Sequence, residues 1–127
     1  MRRGAAPRVG LVALLLGLRA AAPAFAGDAA AGAKVFATEC AECHSVREGK
    51  DKKGPSLFAI VGAKAARREG FAYSAALSSA GITWTPEVLS NYIEAPKKLV
   101  PGGKMKYDGL ADARQREDLV AYLASVR

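Results

Sequence analysis

The sequence predicts a small all-α domain behind an export segment. Three observations carry this. The chain has 127 residues, which holds one core and little more. Its apolar residues recur at helical spacing between recognisable caps and stops. No repeat, low-complexity tract or linker is visible. The length excludes a two-domain nucleotide-binding enzyme, a barrel of eight βα units and any multi-span membrane protein.

The first element is targeting, not fold. Arg2, Arg3 and Arg8 give a basic start, and residues 9–18 are an unbroken apolar or glycine stretch. Arg19 and Pro23 follow, then Ala24-Phe25-Ala26. A basic flank, a short apolar centre and small residues at A-x-A form a secretory signal. Ten residues rise about 15 Å as a helix, half a bilayer core, so a stable membrane insertion is not expected. Cleavage after Ala26 is expected, which makes 1–26 the signal and 27–127 the working domain in a bacterial periplasm. Residues 1–26 hold four of the 19 basic residues and none of the 12 acids, so 15 basic groups and a net charge of +3 remain. No concentrated basic stripe survives, and nucleic acid is not an expected partner.

The remaining elements follow in order. Asp28 caps a helix to about Thr38, with Gly32, Val35 and Phe36 on one face. Residues 49–55 are a polar, lysine-rich loop. Residues 57–61, Leu-Phe-Ala-Ile-Val, are apolar and read equally as strand or buried turn. Residues 74–80 read as a short helix stopped by Gly81. Thr85-Pro86-Glu87 is a cap, a first-turn proline and an acid at the dipole's positive end. The helix it opens carries Val88, Leu89, Tyr92 and Ile93 and ends before Pro96. Asp112 and Gln115 start the last helix, with Leu119, Tyr122, Leu123 and Val126 as its apolar stripe. Of the 47 apolar residues in 27–127, 19 are alanine. Such a core is thin, so something besides protein is expected to fill it.

Both cysteines lie in Cys40-Ala41-Glu42-Cys43-His44. A disulfide over two intervening residues closes a tiny loop and constrains the unfolded chain least. Nothing before the pair reads as the strand of a thioredoxin-like unit. Zinc needs about four ligands, and one histidine with two cysteines falls short. Covalent haem attachment uses all three residues, with two thiols for the vinyl groups and a neighbouring imidazole for iron. Haem would also supply the missing apolar bulk. His44 is the only histidine, and Met105 the only methionine outside the export segment. A lone methionine is most simply a core residue. Met105, however, sits between two lysines after Pro101-Gly102-Gly103, which suits a loop-borne iron ligand.

These residues resemble class I cytochrome c, the mitochondrial branch and its bacterial relatives, over residues 32–123. The resemblance rests on Gly32-x-x-x-Phe36, the Cys40–His44 motif, Gly54-Pro55-x-Leu57, Gly70-Phe71-x-Tyr73-Ser74 and Gly81-Ile82-Thr83-Trp84. It continues through Tyr92-Ile93-Glu94-x-Pro96-Lys97-Lys98, Pro101-Gly102-x-Lys104-Met105 and Arg116-Glu117-Asp118-Leu119-x-Ala121-Tyr122-Leu123. It implies four to five helices around one haem c, held by thioethers from Cys40 and Cys43, with His44 and Met105 on the iron. It implies that the Pro55 carbonyl accepts the His44 ring N–H and that Tyr73 and Trp84 bond a propionate. It places Tyr92 near the Met105 sulfur, and Gly32 and Phe36 against Leu119 and Tyr122. The family often has arginine, asparagine and threonine where Ala63, Leu77 and Gly103 stand. A loosened polar network is therefore expected, and losing the cation lowers the reduction potential.

The resemblance further implies a monomeric one-electron carrier between respiratory or photosynthetic complexes, without catalysis of its own. Lys34, Lys52, Lys53, Lys97, Lys98, Lys104 and Lys106 would surround the haem edge and face acidic docking surfaces. Those belong to redox proteins such as a cytochrome bc-type complex, an oxidase, a reaction centre or a peroxidase. Two alternatives stand beside this reading. One is a dedicated electron-entry subunit of a dehydrogenase. The other is a peroxidase or sensor haem with a labile Met105.

Overall fold

The computed structural model describes Gly4 and residues 27–127. The expected export segment, 1–26, lies otherwise outside the described residues. Among the described residues five helices follow in order: α1 (Ala29–Glu39), α2 (Ala75–Ser79), α3 (Pro86–Glu94), α4 (Pro96–Leu99) and α5 (Ala113–Ser125). No strand is present among the described residues. A single antiparallel bridge, Lys64 with Thr83, joins two loops.

The caps foreseen at Asp28, Thr85 and Asp112 are made, and Ser74, read as part of a helix, caps α2 instead. The Asp28 carboxylate accepts from the amides of Ala30 and Ala31, at 2.8 and 3.2 Å. Ser74 Oγ accepts from Leu77 N at 3.0 Å, Thr85 Oγ1 from Val88 N at 3.2 Å, and Asp112 from Gln115 N at 3.0 Å. Each satisfies an amide that the first helical turn leaves without a partner.

Two elements differ from expectation or resolve an open choice. Pro96 does not simply end helical structure. It closes α3 and then opens α4, because proline is tolerated where the first helical amide has no partner. Lys97 and Lys98 then sit in the last turn of α4, near its unpaired carbonyls. Residues 57–61 form turns, not a strand. Ile60 N donates to Leu57 O at 3.2 Å, and Ala59 N to Val126 O at 3.0 Å.

The crossing of α1 and α5 organises the core. A Cβ placed on Gly32 would lie 1.8 Å from the Asp118 carbonyl oxygen and 2.8 Å from Tyr122 Cβ. Only glycine permits that approach. Phe36, one turn on, packs its ring 5.6 Å from that of Tyr122. Asp118 Oδ1 accepts from Asp28 N at 2.8 Å, which ties the start of α1 to α5. Leu119, Val120 and Leu123 carry the α5 side of the core, at 2% exposure or less. Leu89 and Ile93 of α3, Trp84 and Leu110 complete the cluster. Gly109, at φ 115°, brings Leu110 N to Ile93 O at 2.9 Å. This pins the segment after α4 to the end of α3. Arg116 braces the same corner through the carbonyls of Leu110 and Ala111, at 2.8 and 2.7 Å.

Ala59 and Ala66 have φ of 51° and 56°. A left-handed residue with a Cβ costs about 1–2 kcal/mol, whereas the entropy that glycine adds to the unfolded chain costs about 0.4–1 kcal/mol. Strain outweighs entropy, so Ala59→Gly is expected to raise the thermal midpoint by a few degrees. Calorimetry of the variant beside wild type checks this; a lowered midpoint contradicts it.

Candidate haem site

The Cys40–His44 motif continues α1 as a turn. Cys40 caps the helix, its amide donating to Phe36 O at 2.9 Å. The amides of Cys43 and His44 both donate back to Cys40 O, at 3.1 and 2.9 Å. Both thiols are free and half-buried. Burial first, then the charges of Glu39 and Cys43, push the Cys40 thiol up to about 11. It is held protonated and weakly reactive at neutral pH.

The next loop orients the imidazole. Gly54 N donates to Cys43 O at 2.8 Å, and Leu57 N to Ser45 O at 2.9 Å. Asp51 Oδ1 accepts from Ser56 N at 2.8 Å, and the buried Ser56 hydroxyl donates to Arg47 O. Asp51 also pairs with Arg68 at 3.1 Å. These bonds bring the Pro55 carbonyl to 2.7 Å from His44 Nδ1. A carbonyl only accepts, so Nδ1 carries the hydrogen and Nε2 presents a lone pair. Burial, opposed by the Pro55 bond and assisted by nearby Lys52, lowers the His44 pKa. The ring is therefore a neutral donor. A Cβ on Gly54 would lie 2.4 Å from His44 Cε1, so glycine is required beside the ring.

The second candidate ligand comes from the segment after α4. Tyr92, on α3, places its hydroxyl 4.0 Å from Met105 Sδ. Burial raises the Tyr92 pKa, so this hydroxyl keeps its hydrogen at neutral pH. Trp84 is 5% exposed and packs 4.9 Å from the Tyr92 ring. Its indole N–H donates to no protein group among the described residues. The Tyr73 hydroxyl accepts from Arg68 N at 3.3 Å and keeps its own hydrogen to give. Tyr73 also meets Phe71 edge-on at 4.8 Å.

The donor set suits a haem. It offers two free thiols, one neutral imidazole with an open Nε2, and one thioether beside a phenol. Among the described residues, no group of three or more His, Cys, Asp or Glu gathers as for a bare metal ion. Around the buried core Val46, Leu57, Ile60, Leu77, Ile82 and Tyr92 stay half-covered. An apolar plate would cover them.

The seven lysines are all exposed. Two are paired with acids: Lys53 with Glu42 at 2.8 Å and Lys97 with Asp108 at 3.1 Å. Lys52 and Lys104 donate to the carbonyls of Ala41 and Ala72. Lys34, Lys98 and Lys106 project without an acid partner among the described residues.

Sequence reading missed two residues here. Tyr107 donates to Glu39 Oε2 at 2.6 Å. Burial, then this bond and the Glu39 charge, raise the Tyr107 pKa far above the usual phenol value. No spacing rule connects residues 39 and 107, so no signal in the sequence marked the pair.

Comparison with known proteins agrees with this geometry. The family model described as "Cytochrome c" matches residues 29–127. The chain is 45% identical to cytochrome c2 of Rhodopila globiformis, over 80% of this chain and 95% of that protein. It is 48% identical to cytochrome c2 of Blastochloris viridis, over 80% of each. The solved structure of cytochrome cH from Methylobacterium extorquens superposes with a TM-score of 0.71 at 45% identity, covering 76% of this chain and 97% of that one. The chain belongs to the cytochrome c family, as a class I member with a covalently bound haem c.

Proposed function

We propose that the protein is a one-electron carrier of the periplasm, exported by cleavage after Ala26 and working as a free monomer. Family membership supports electron transfer as its role. No helix among the described residues is long and apolar enough to cross a membrane. The observation that carries the proposal is the pair of donors, an open His44 Nε2 and a Met105 thioether beside Tyr92. A ferric/ferrous couple is the chemistry the haem supplies when bound.

The protein's part is to hold that couple and shield it. Cys40 and Cys43 would anchor the ring through thioethers. His44 and Met105 would hold the iron with one nitrogen and one sulfur, which favours the reduced state over two nitrogens. The Pro55 carbonyl fixes the His44 plane and raises the basicity of its Nε2. Tyr73 and Trp84 would each offer a hydrogen to a haem propionate, and Tyr92 would steady the Met105 sulfur. With His44 and Met105 both holding the iron, no open position would remain for peroxide.

Lys34, Lys98, Lys104 and Lys106, with Lys97, form the docking face for an acidic partner such as a cytochrome bc-type complex, an oxidase, a reaction centre or a peroxidase. Weak redox encounters of this kind rely on steering by charge. The test is electron exchange between the purified protein and membranes that bear its redox partners, timed at rising ionic strength. The rate is expected to fall by on the order of tenfold between low and physiological salt. A salt-independent rate removes the docking face. Tight co-elution with one dehydrogenase favours the subunit alternative instead.

A further inference from the structure

Residues 104–109 carry Met105, yet no backbone–backbone hydrogen bond holds any of them among the described residues. Such a segment opens easily unless side chains secure it. Its ends are fixed, by Gly103 N to Val100 O at 3.1 Å and Leu110 N to Ile93 O at 2.9 Å. Between them, Lys104 reaches the Ala72 carbonyl and Asp108 meets Lys97. Neither partner belongs to α1 or to the cysteine motif. Among the described residues, only Tyr107 of this segment hydrogen-bonds to α1, its hydroxyl meeting Glu39 Oε2 at 2.6 Å over 68 residues of sequence. Glu39 is the last residue of α1 and directly precedes Cys40. Tyr107 lies two residues past Met105 and rests half-buried against the core. A phenol–carboxylate bond of this length is of the strong, charge-assisted kind.

We propose that Tyr107 and Glu39 form a positioning clamp that holds the Met105 segment against α1. The clamp sets how readily Met105 yields its place to a competing ligand. Neither side chain is one of the proposed iron ligands. The clamp rests on the ligand role of Met105 proposed above.

The test is a titration of the oxidised holoprotein with imidazole at fixed neutral pH, following the methionine–iron absorption band. Tyr107→Phe keeps the ring and removes the hydrogen bond. Glu39→Ala removes the acceptor at an exposed position and keeps the helix. Each is expected to bind imidazole about threefold to tenfold more tightly than wild type, the effect of losing one hydrogen bond at an exposed position. The double variant is expected to bind no more tightly than the stronger single one. Affinities within twofold of wild type in both single variants overturn the clamp, as do effects that multiply in the double. A wild-type protein without the band at rest overturns Met105 ligation itself, before any variant is made.

Discussion

Replacing Met105 by alanine is expected to remove the methionine–iron band of the oxidised protein and to lower the reduction potential by on the order of 0.1 V or more, within the ~0.8 V span that axial ligands cover. The reason is local. Met105 is the only thioether in residues 27–127, and Tyr92 holds its hydroxyl 4.0 Å from the sulfur. No other described side chain offers a soft ligand at that position. The same variant is expected to bind imidazole readily and to consume peroxide, since no thioether would then remain to hold the iron. Potentiometry and optical spectra of the variant beside wild type decide this. An unchanged potential with the band intact means that Met105 is a core residue and that the carrier reading loses its main support.

Replacing Gly32 by alanine is expected to destabilise the protein by about 3 kcal/mol or more, a large share of the ~5–15 kcal/mol that a native domain has in total. Two effects oppose each other. Helix propensity favours alanine by about 0.5–1 kcal/mol at an interior position of α1. Packing opposes it, because the new Cβ would lie 1.8 Å from the Asp118 carbonyl oxygen, and backbone cannot yield as a flexible side chain can. The two helices must separate, which uncovers Leu119 and Phe36, now 0% and 7% exposed. Packing outweighs propensity by a wide margin. Denaturant melts of both holoproteins measure the difference. A variant as stable as wild type contradicts the close crossing of α1 and α5.

The helix starts were legible in the sequence because a cap is a local device. Asp28, Ser74, Thr85 and Asp112 each accept from an amide two or three residues ahead. The haem motif was equally legible, since its turn bonds span only Cys40 to His44. Pro55 beside His44, and Tyr92 beside Met105, were expected from the resemblance, and both contacts are present. Residues 57–61 were not legible. Five apolar residues suit a strand or a turn, and the hydrogen bonds to Leu57 and Val126 select the turn. α4 was missed because a proline that ends one helix also suits the first position of the next. The lysines were legible as exposed, but their pairing was not. Glu42 and Asp108 are 11 residues from Lys53 and Lys97, beyond any helical or strand period.

The sequence alone determined what rests on residue identity and short spacing. That covers the all-α class, the capped helices, the two thiols next to the sole histidine, and a lone methionine in residues 27–127. Tertiary structure decided what rests on chain segments meeting at long range. It turned His44 so that Nε2 stays open, brought Tyr92 to Met105, let α1 and α5 touch at Gly32, and joined Glu39 to Tyr107. Period and propensity describe a few residues at a time. Contacts between residues dozens of positions apart follow only from the packing of whole elements into one core, and no local pattern records them.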